Sequence, residues 1–162
     1  MKDQMIIASI QMYSTGDKER NLQTMEKYLE HINKAFPNIK MVVFPELAAH
    51  GSISNMRKEA EAIPGELTSI FSNMANKYNL WLIPGSIYEK SDNEIFNTTP
   101  VFSSGGDLLG KYRKRYPWRP NEKTTPGGTH FTFDIDGFGT VGIMICYDCL
   151  LYTSPSPRDD GV

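Results

Sequence analysis

The order of periodicities along the chain constrains its fold more than any single residue does. Residues 5–12 cluster apolar side chains as a strand would, and Thr15-Gly16-Asp17 then breaks the run, with Asp17 placed to cap a helix. From Lys18 onward Leu22, Met25, Leu29, Ile32 and Phe36 recur at helical spacing, and Pro37 closes the segment. Residues 40–44 predict a second strand, residues 59–62 a short helical turn. Pro64-Gly65 opens a second amphipathic helix with Leu67, Ile70, Phe71, Met74, Ala75 and Tyr78 on one face. Strands are expected at residues 81–87 and 95–102, with a hairpin turn at Gly105-Gly106-Asp107 leading into residues 108–112. A long Pro/Gly-rich loop, residues 117–128, precedes two strands at 130–135 and 140–145 joined at Asp136-Gly137. Strand–helix–strand–helix–strand followed by antiparallel hairpins predicts an α/β layered fold. No internal repeat or low-complexity segment interrupts it.

At 162 residues the chain has room for one domain with a real core, and 40% hydrophobic with 22% charged residues is ordinary globular composition. A formal net charge of −2 gives no electrostatic reason to expect nucleic acid or an anionic membrane as partner. The basic run Lys111, Arg113, Lys114, Arg115 lacks the glycine-rich cradle or interleaved aromatics of a phosphate or nucleic-acid site. The first apolar run is broken by Ser and Gln and reads as a strand rather than a signal peptide. No run approaches the ~18 apolar residues of a membrane span. Two cysteines make no disulfide framework, so a reducing, cytoplasmic setting is expected.

Three stretches carry chemistry. Residues 141–148, VGIMICYD, form an apolar run of strand length ending in Cys146, where α/β folds place reactive groups at the exit of a sheet. The plainer reading of such a cysteine is a small buried hydrophobe. Residues 41–46, MVVFPE, likewise end a strand in a carboxylate, Glu46, and residues 110–118, GKYRKRYPW, carry Lys114. In this chain order, the FPE of residues 44–46, the KYRK of residues 111–114 and the ICYD of residues 145–148 resemble the carbon–nitrogen hydrolase (nitrilase-like) superfamily. The PW-x-P-x-E…PGG arrangement around Glu122 resembles the aliphatic amidase and formamidase branch, where a second glutamate positions the amide. True nitrilases follow the nucleophile with Trp-Glu; Tyr147-Asp148 here favours amides over nitriles. Asn97, in IFNT, resembles a structural position of the family. His31, His50 and His130 are isolated, His31 on the exposed side of a helix and the others at loop edges.

The resemblance implies the N-terminal part of a four-layer αββα sandwich, incomplete at the C-terminus, in a family that associates through its helix layer; the parent protein is expected to be a homo-oligomer. It implies Cys146 as nucleophile, Glu46 as general base, Lys114 as oxyanion-stabilising cation and Glu122 as substrate-positioning group. The expected reaction is hydrolysis of a small linear amide through a thioester, with no metal or organic cofactor. A silent nitrilase-like interaction domain is the alternative from another class. Nitrile hydrolysis, or a redox or metal site at the CxxC of Cys146 and Cys149, ranks below both.

Beyond Asp148 the sequence becomes CLLYTSPSPRDDGV, in which Ser154-Pro155-Ser156-Pro157 cannot continue a helix or a buried strand. CLLYTSPSPRD resembles the conceptual translation of a sequencing-library transposon adapter. Residues 149–162 are therefore expected to be a non-native read-through tail, and residues 1–148 a partial carbon–nitrogen hydrolase domain. The other reading is a genuine Pro/Ser-rich disordered tail. The fragment alone is expected to be inactive and poorly folded.

Overall fold

A computed structural model of the chain describes residues 4–51 and 56–151. The elements run β1 (Ile6–Ser9), α1 (Lys18–Ala35), β2 (Ile39–Val43), α2 (Met56–Glu59), α3 (Glu66–Tyr78), β3 (Trp81–Ile83), β4 (Ile87–Ser91), β5 (Glu94–Phe102), β6 (Leu108–Arg113), β7 (Thr132–Ile135) and β8 (Gly139–Gly142). A 3₁₀ turn, Cys146–Leu151, follows. The expected tail segment at residues 154–157 lies outside the described residues. No helix among those described is long and apolar enough to cross a membrane.

Asp17 caps α1 as its position predicts: its side-chain Oδ1 accepts the Arg20 N–H at 3.0 Å, satisfying one of the orphan donors of the first turn. The helix buries Met25, Leu29 and Ile32, three to four residues apart, while its mean composition stays polar enough to face water on the other side. Its first turn is tied to the loop after β2 by Asn21, whose Nδ2 donates to the Ala49 carbonyl at 3.0 Å. In α3 the residues Leu67, Phe71, Met74, Ala75 and Tyr78 face the same core, and Phe71 meets Phe102 of β5 edge-on with centroids 6.3 Å apart.

β1, β2 and β3 pair in parallel, and β3 then meets β5 antiparallel at Leu82–Phe102. β4 and β6 flank opposite sides of β5, since Thr98 pairs with Ile87 on one side and Arg113 on the other. Neighbouring residues on each strand serve different cores, as the two-residue period of a strand requires. Val42, Leu82 and Phe102 pack on the helices, whereas Met41, Ile83 and Val101 pack on Phe133, Ile135, Ile143 and Ile145 beneath the β7–β8 hairpin. The described residues thus form three layers: helices, a six-stranded mixed sheet, and a two-stranded sheet.

Three expectations change. The single strand predicted over residues 81–87 is broken into β3 and β4 at Pro84-Gly85-Ser86. Gly85 has φ +81°, and a Cβ there would lie 2.0 Å from the Pro45 carbonyl oxygen, so the strand yields where the β2 loop crosses it. The short helical turn sits at Met56–Glu59, ahead of residues 59–62, and Glu61 instead bridges to Glu89. The strand expected over residues 140–145 stops at Gly142; Met144 is exposed while Ile143 and Ile145 are buried.

Candidate active site

Glu46, Lys114, Glu122 and Cys146 come together from three segments: the turn after β2, the long connection between β6 and β7, which carries both Lys114 and Glu122, and the stretch after β8. Glu46 follows β2 on a tight turn in which the His50 and Gly51 N–H groups both donate to the Leu47 carbonyl, at 3.0 and 2.7 Å. Leu47 adopts φ 53°, an uncommon conformation for a non-glycine residue, and its N–H donates to Ser86 Oγ at 3.0 Å. The break between β3 and β4 therefore receives and holds the turn that presents Glu46.

Lys114 is the first residue past β6, and its side chain is 2% exposed. Its Nζ donates to Glu46 Oε1 and to Glu122 Oε2, each at 2.7 Å. Burial opposes the ammonium charge, but the hydrogen bonds and charges of Glu122 and Glu46 outweigh it and hold the Lys114 pKa above its usual value. Lys114 is a fixed cation in this setting and not a base.

Glu122 occupies the long loop after β6 and is more constrained than a solvated loop glutamate. Oε2 also accepts the Trp118 N–H at 3.0 Å, and Oε1 accepts from Asn97 Nδ2 at 2.8 Å and Thr124 Oγ1 at 2.9 Å. Burial raises its pKa, yet Lys114, Asn97, the Trp118 N–H and Thr124 together bring it below the usual carboxylate value. A carboxylate so held stays ionised and serves as an acceptor.

Cys146 is exposed, begins the 3₁₀ turn and has φ 45°, a strained backbone of the kind that collects at functional loops. Burial of the sulfur, then the charge and hydrogen bond of Glu46, push its thiol pKa up; Lys114 and the Tyr147 N–H act in the opposite sense. Asp148 fixes this turn from below. Its Oδ2 accepts from Tyr112 Oη at 2.7 Å and from the Ile145 N–H at 3.0 Å, and its Oδ1 accepts from the Tyr116 N–H at 2.9 Å. The Tyr112 phenol is buried against this carboxylate, and both effects raise its pKa. Cys146 and Glu46 line a cleft of about 570 Å³ shared with Tyr88, Trp118, Asn121 and Lys123.

Two readings of the sequence understate their residues. Asn97, placed by resemblance at a structural position of the family, donates from Nδ2 to Glu46 Oε1 at 2.7 Å as well as to Glu122; its tie to both glutamates is what the sequence reading missed, and its neighbours Thr98 and Thr99 give it no contrast in the strand. His50 sits at the loop edge expected of it and is nonetheless 1% exposed, packing against Tyr88 with ring centroids 5.5 Å apart. The basic run divides between faces. Lys111 and Arg113 bind the buried Glu89 at 2.5 and 2.6 Å, Lys114 enters the site, and Arg115 Nη1 lies 2.6 Å from His130 Nε2. His31 is exposed on α1, edge-on to Phe36. Cys146 and Cys149 are both free thiols.

Comparison with known proteins gives a consistent result. The carbon–nitrogen hydrolase family model matches residues 6–153. An omega-amidase of Saccharomyces cerevisiae is 33% identical over 153 residues, covering 83% of this chain and 52% of that protein. A human omega-amidase is 31% identical over 154 residues, covering 88% and 54% respectively. A crystal structure of a Saccharomyces cerevisiae member of branch 10 of the nitrilase superfamily superposes with a TM-score of 0.80 at 33% identity, over 89% of this chain and 56% of that one. The chain spans about half the length of the curated relatives it matches. On the family match and these identities, the chain belongs to the carbon–nitrogen hydrolase family.

Proposed function

We propose that these residues form the active site of a cysteine-dependent amidase that hydrolyses the C–N bond of a small linear amide. The observation that carries the reading is the Lys114 ammonium held at 2.7 Å from both Glu46 and Glu122 beside the Cys146 thiol. The first substrate class to test is a terminal amide, the class named for the omega-amidase relatives.

The chemistry follows from the charges. Because the thiol pKa is raised, the sulfur rests protonated and needs a base at the moment of attack. Glu46 takes the thiol proton as Sγ bonds to the amide carbon. An ammonium has three donors, and Lys114 spends two on the glutamates, leaving one for the oxyanion. Glu46 returns the proton to the nitrogen, the C–N bond breaks, and ammonia or an amine leaves a thioester on Cys146. Glu46 then accepts a proton from water, whose oxygen attacks the thioester; the S–C bond breaks and the acid departs with the thiol restored. Glu122, ionised and with two donors on each oxygen, orients Lys114 and, through that cation, the substrate. No step calls on a metal.

The test uses ammonia release from a small terminal amide by a chain carrying residues 1–148 and spanning the length of its relatives. Cys146→Ala should lower turnover by about a thousandfold or more. Mass spectrometry of the parent protein during turnover should show a transient acyl adduct on Cys146, and Glu46→Gln, which lacks the base for attack, should show none. Turnover that survives Cys146→Ala would sink the proposal. The 162-residue chain alone should release no ammonia, because Cys146 is exposed to water beside a sheet of only two strands among the described residues.

A further inference from the structure

Asn97 sits at the centre of β5, 1% exposed, with its backbone carbonyl accepting the Lys114 N–H at 2.8 Å. Its side chain spends both amide hydrogens on carboxylates, one on Glu46 Oε1 and one on Glu122 Oε1. Its Oδ1 is buried without a hydrogen-bond partner among the described residues. Turning the amide over would set that oxygen against two carboxylate oxygens, so the orientation is dictated by the glutamates. A buried orphan acceptor calls for an explanation, and a position kept only for packing would not need one. The two donated hydrogens are what this side chain supplies.

The consequence falls on Glu46. Its Oε1 accepts from both Lys114 Nζ and Asn97 Nδ2, each at 2.7 Å. With Oε1 doubly occupied, Oε2 is the oxygen left for the sulfur. We propose that Asn97 is a positioning residue of the site, whose amide locks Oε1 of Glu46 and Oε1 of Glu122 so that Oε2 of Glu46 faces the Cys146 thiol. The inference rests on the reading of Glu46 as the base that serves Cys146. The charged groups that act on the thiol are Glu46 from the β2 loop and Lys114 from the end of β6; Asn97 ties one to the other and adds no charge.

The experiment is a double-mutant cycle read on the chain itself, with Cys149→Ser so that a single thiol reports. The rate of iodoacetamide alkylation of Cys146 is followed against pH. Removing the neighbouring carboxylate by Glu46→Gln should move the midpoint down by about one pH unit. In an Asn97→Leu background the same substitution should move it by less than half as much, because the untethered carboxylate no longer stays on the sulfur. Equal shifts in the two backgrounds would overturn the proposal, since a merely structural Asn97 leaves the coupling between Glu46 and the thiol intact. Should circular dichroism show that Asn97→Leu does not fold, the smaller and equally uncharged Asn97→Ala completes the same cycle. Alkylation requires no amide turnover, so a protein of its relatives' full length that hydrolyses no amide refutes the proposed function and leaves this result standing, and additive shifts refute Asn97's role alone.

Discussion

Among single residues, His50 and Glu89 make opposite electrostatic commitments with the same degree of burial. Glu89 is 1% exposed but surrounded: burial raises its pKa, while Arg113, Lys111 and Thr98 bring it down to about 2. Its stabilising effect is present above the ordinary carboxylate value of 4.5 and is lost as pH falls toward 2. Among the described residues, neither ring nitrogen of His50 has a hydrogen-bond partner. Burial, and the charge of Lys18, lower its pKa from 6.5 to about 4, against a smaller opposing effect of Glu59. Between those two values the unfolded chain binds a proton that the folded chain refuses, so stability falls as pH drops from 6.5 toward 4. At 1.36 kcal/mol per pH unit the full interval is worth about 3 kcal/mol. Urea unfolding of dilute protein, followed by tryptophan fluorescence at pH 7.5 and 4.5, should show a smaller acid loss in His50→Leu than in the parent, by about 2 kcal/mol. Equal losses would mean that the imidazole charges without penalty in the fold.

At the scale of elements, the site depends on places where regular structure stops. β3 gives way at Pro84-Gly85-Ser86, and that gap accepts the turn bearing Glu46. Gly85→Ala would need a side chain at φ +81° and a Cβ 2.0 Å from the Pro45 carbonyl oxygen. It should cost more than about 2 kcal/mol of stability, whereas Gly128→Ala, which meets nothing within 4 Å, should change it by less than about 0.5 kcal/mol. Comparable urea midpoints for the two variants would contradict the close approach. What was legible in the sequence follows the same division. Helix α1 was readable to within a residue because its cap, its apolar stripe and its closing proline are all local. The Glu46 and Cys146 contexts were readable because each ends an apolar run, and Lys114 because the KYRK of its basic run stands between them in the chain order that the resemblance rests on. The break in β3 was not, because the atom that forces it belongs to Pro45, far away in the chain. The tie of Asn97 to the site was not either, since its partners lie 51 and 25 residues distant.

For the whole molecule, the balance of covered and uncovered apolar surface decides behaviour in solution. The helix side is closed: Met25, Leu67, Phe71 and Phe102 are fully buried between α1, α3 and the sheet. The side facing β7–β8 is not. Ile7 and Met144 are 50% and 49% exposed, and an apolar cleft of about 290 Å³ runs between them, past Val43 and Ile143, to Glu46 and Cys146. β8 pairs only with β7 among the described strands, and β1 only with β2, so each presents an unpaired edge. Two edges flanking an open apolar cleft favour strand addition and association. The 162-residue chain should therefore enhance the fluorescence of an apolar dye and sediment as a concentration-dependent mixture. Glu and Lys placed on the open face, at Ile7 and Met144, should reduce both signals, while the same charges at Leu108 and Leu109, exposed on β6, should reduce them less. A monodisperse chain that leaves the dye dark would show that the cleft closes on itself in solution, and the inactivity expected of this chain would then need a cause other than an uncovered Cys146.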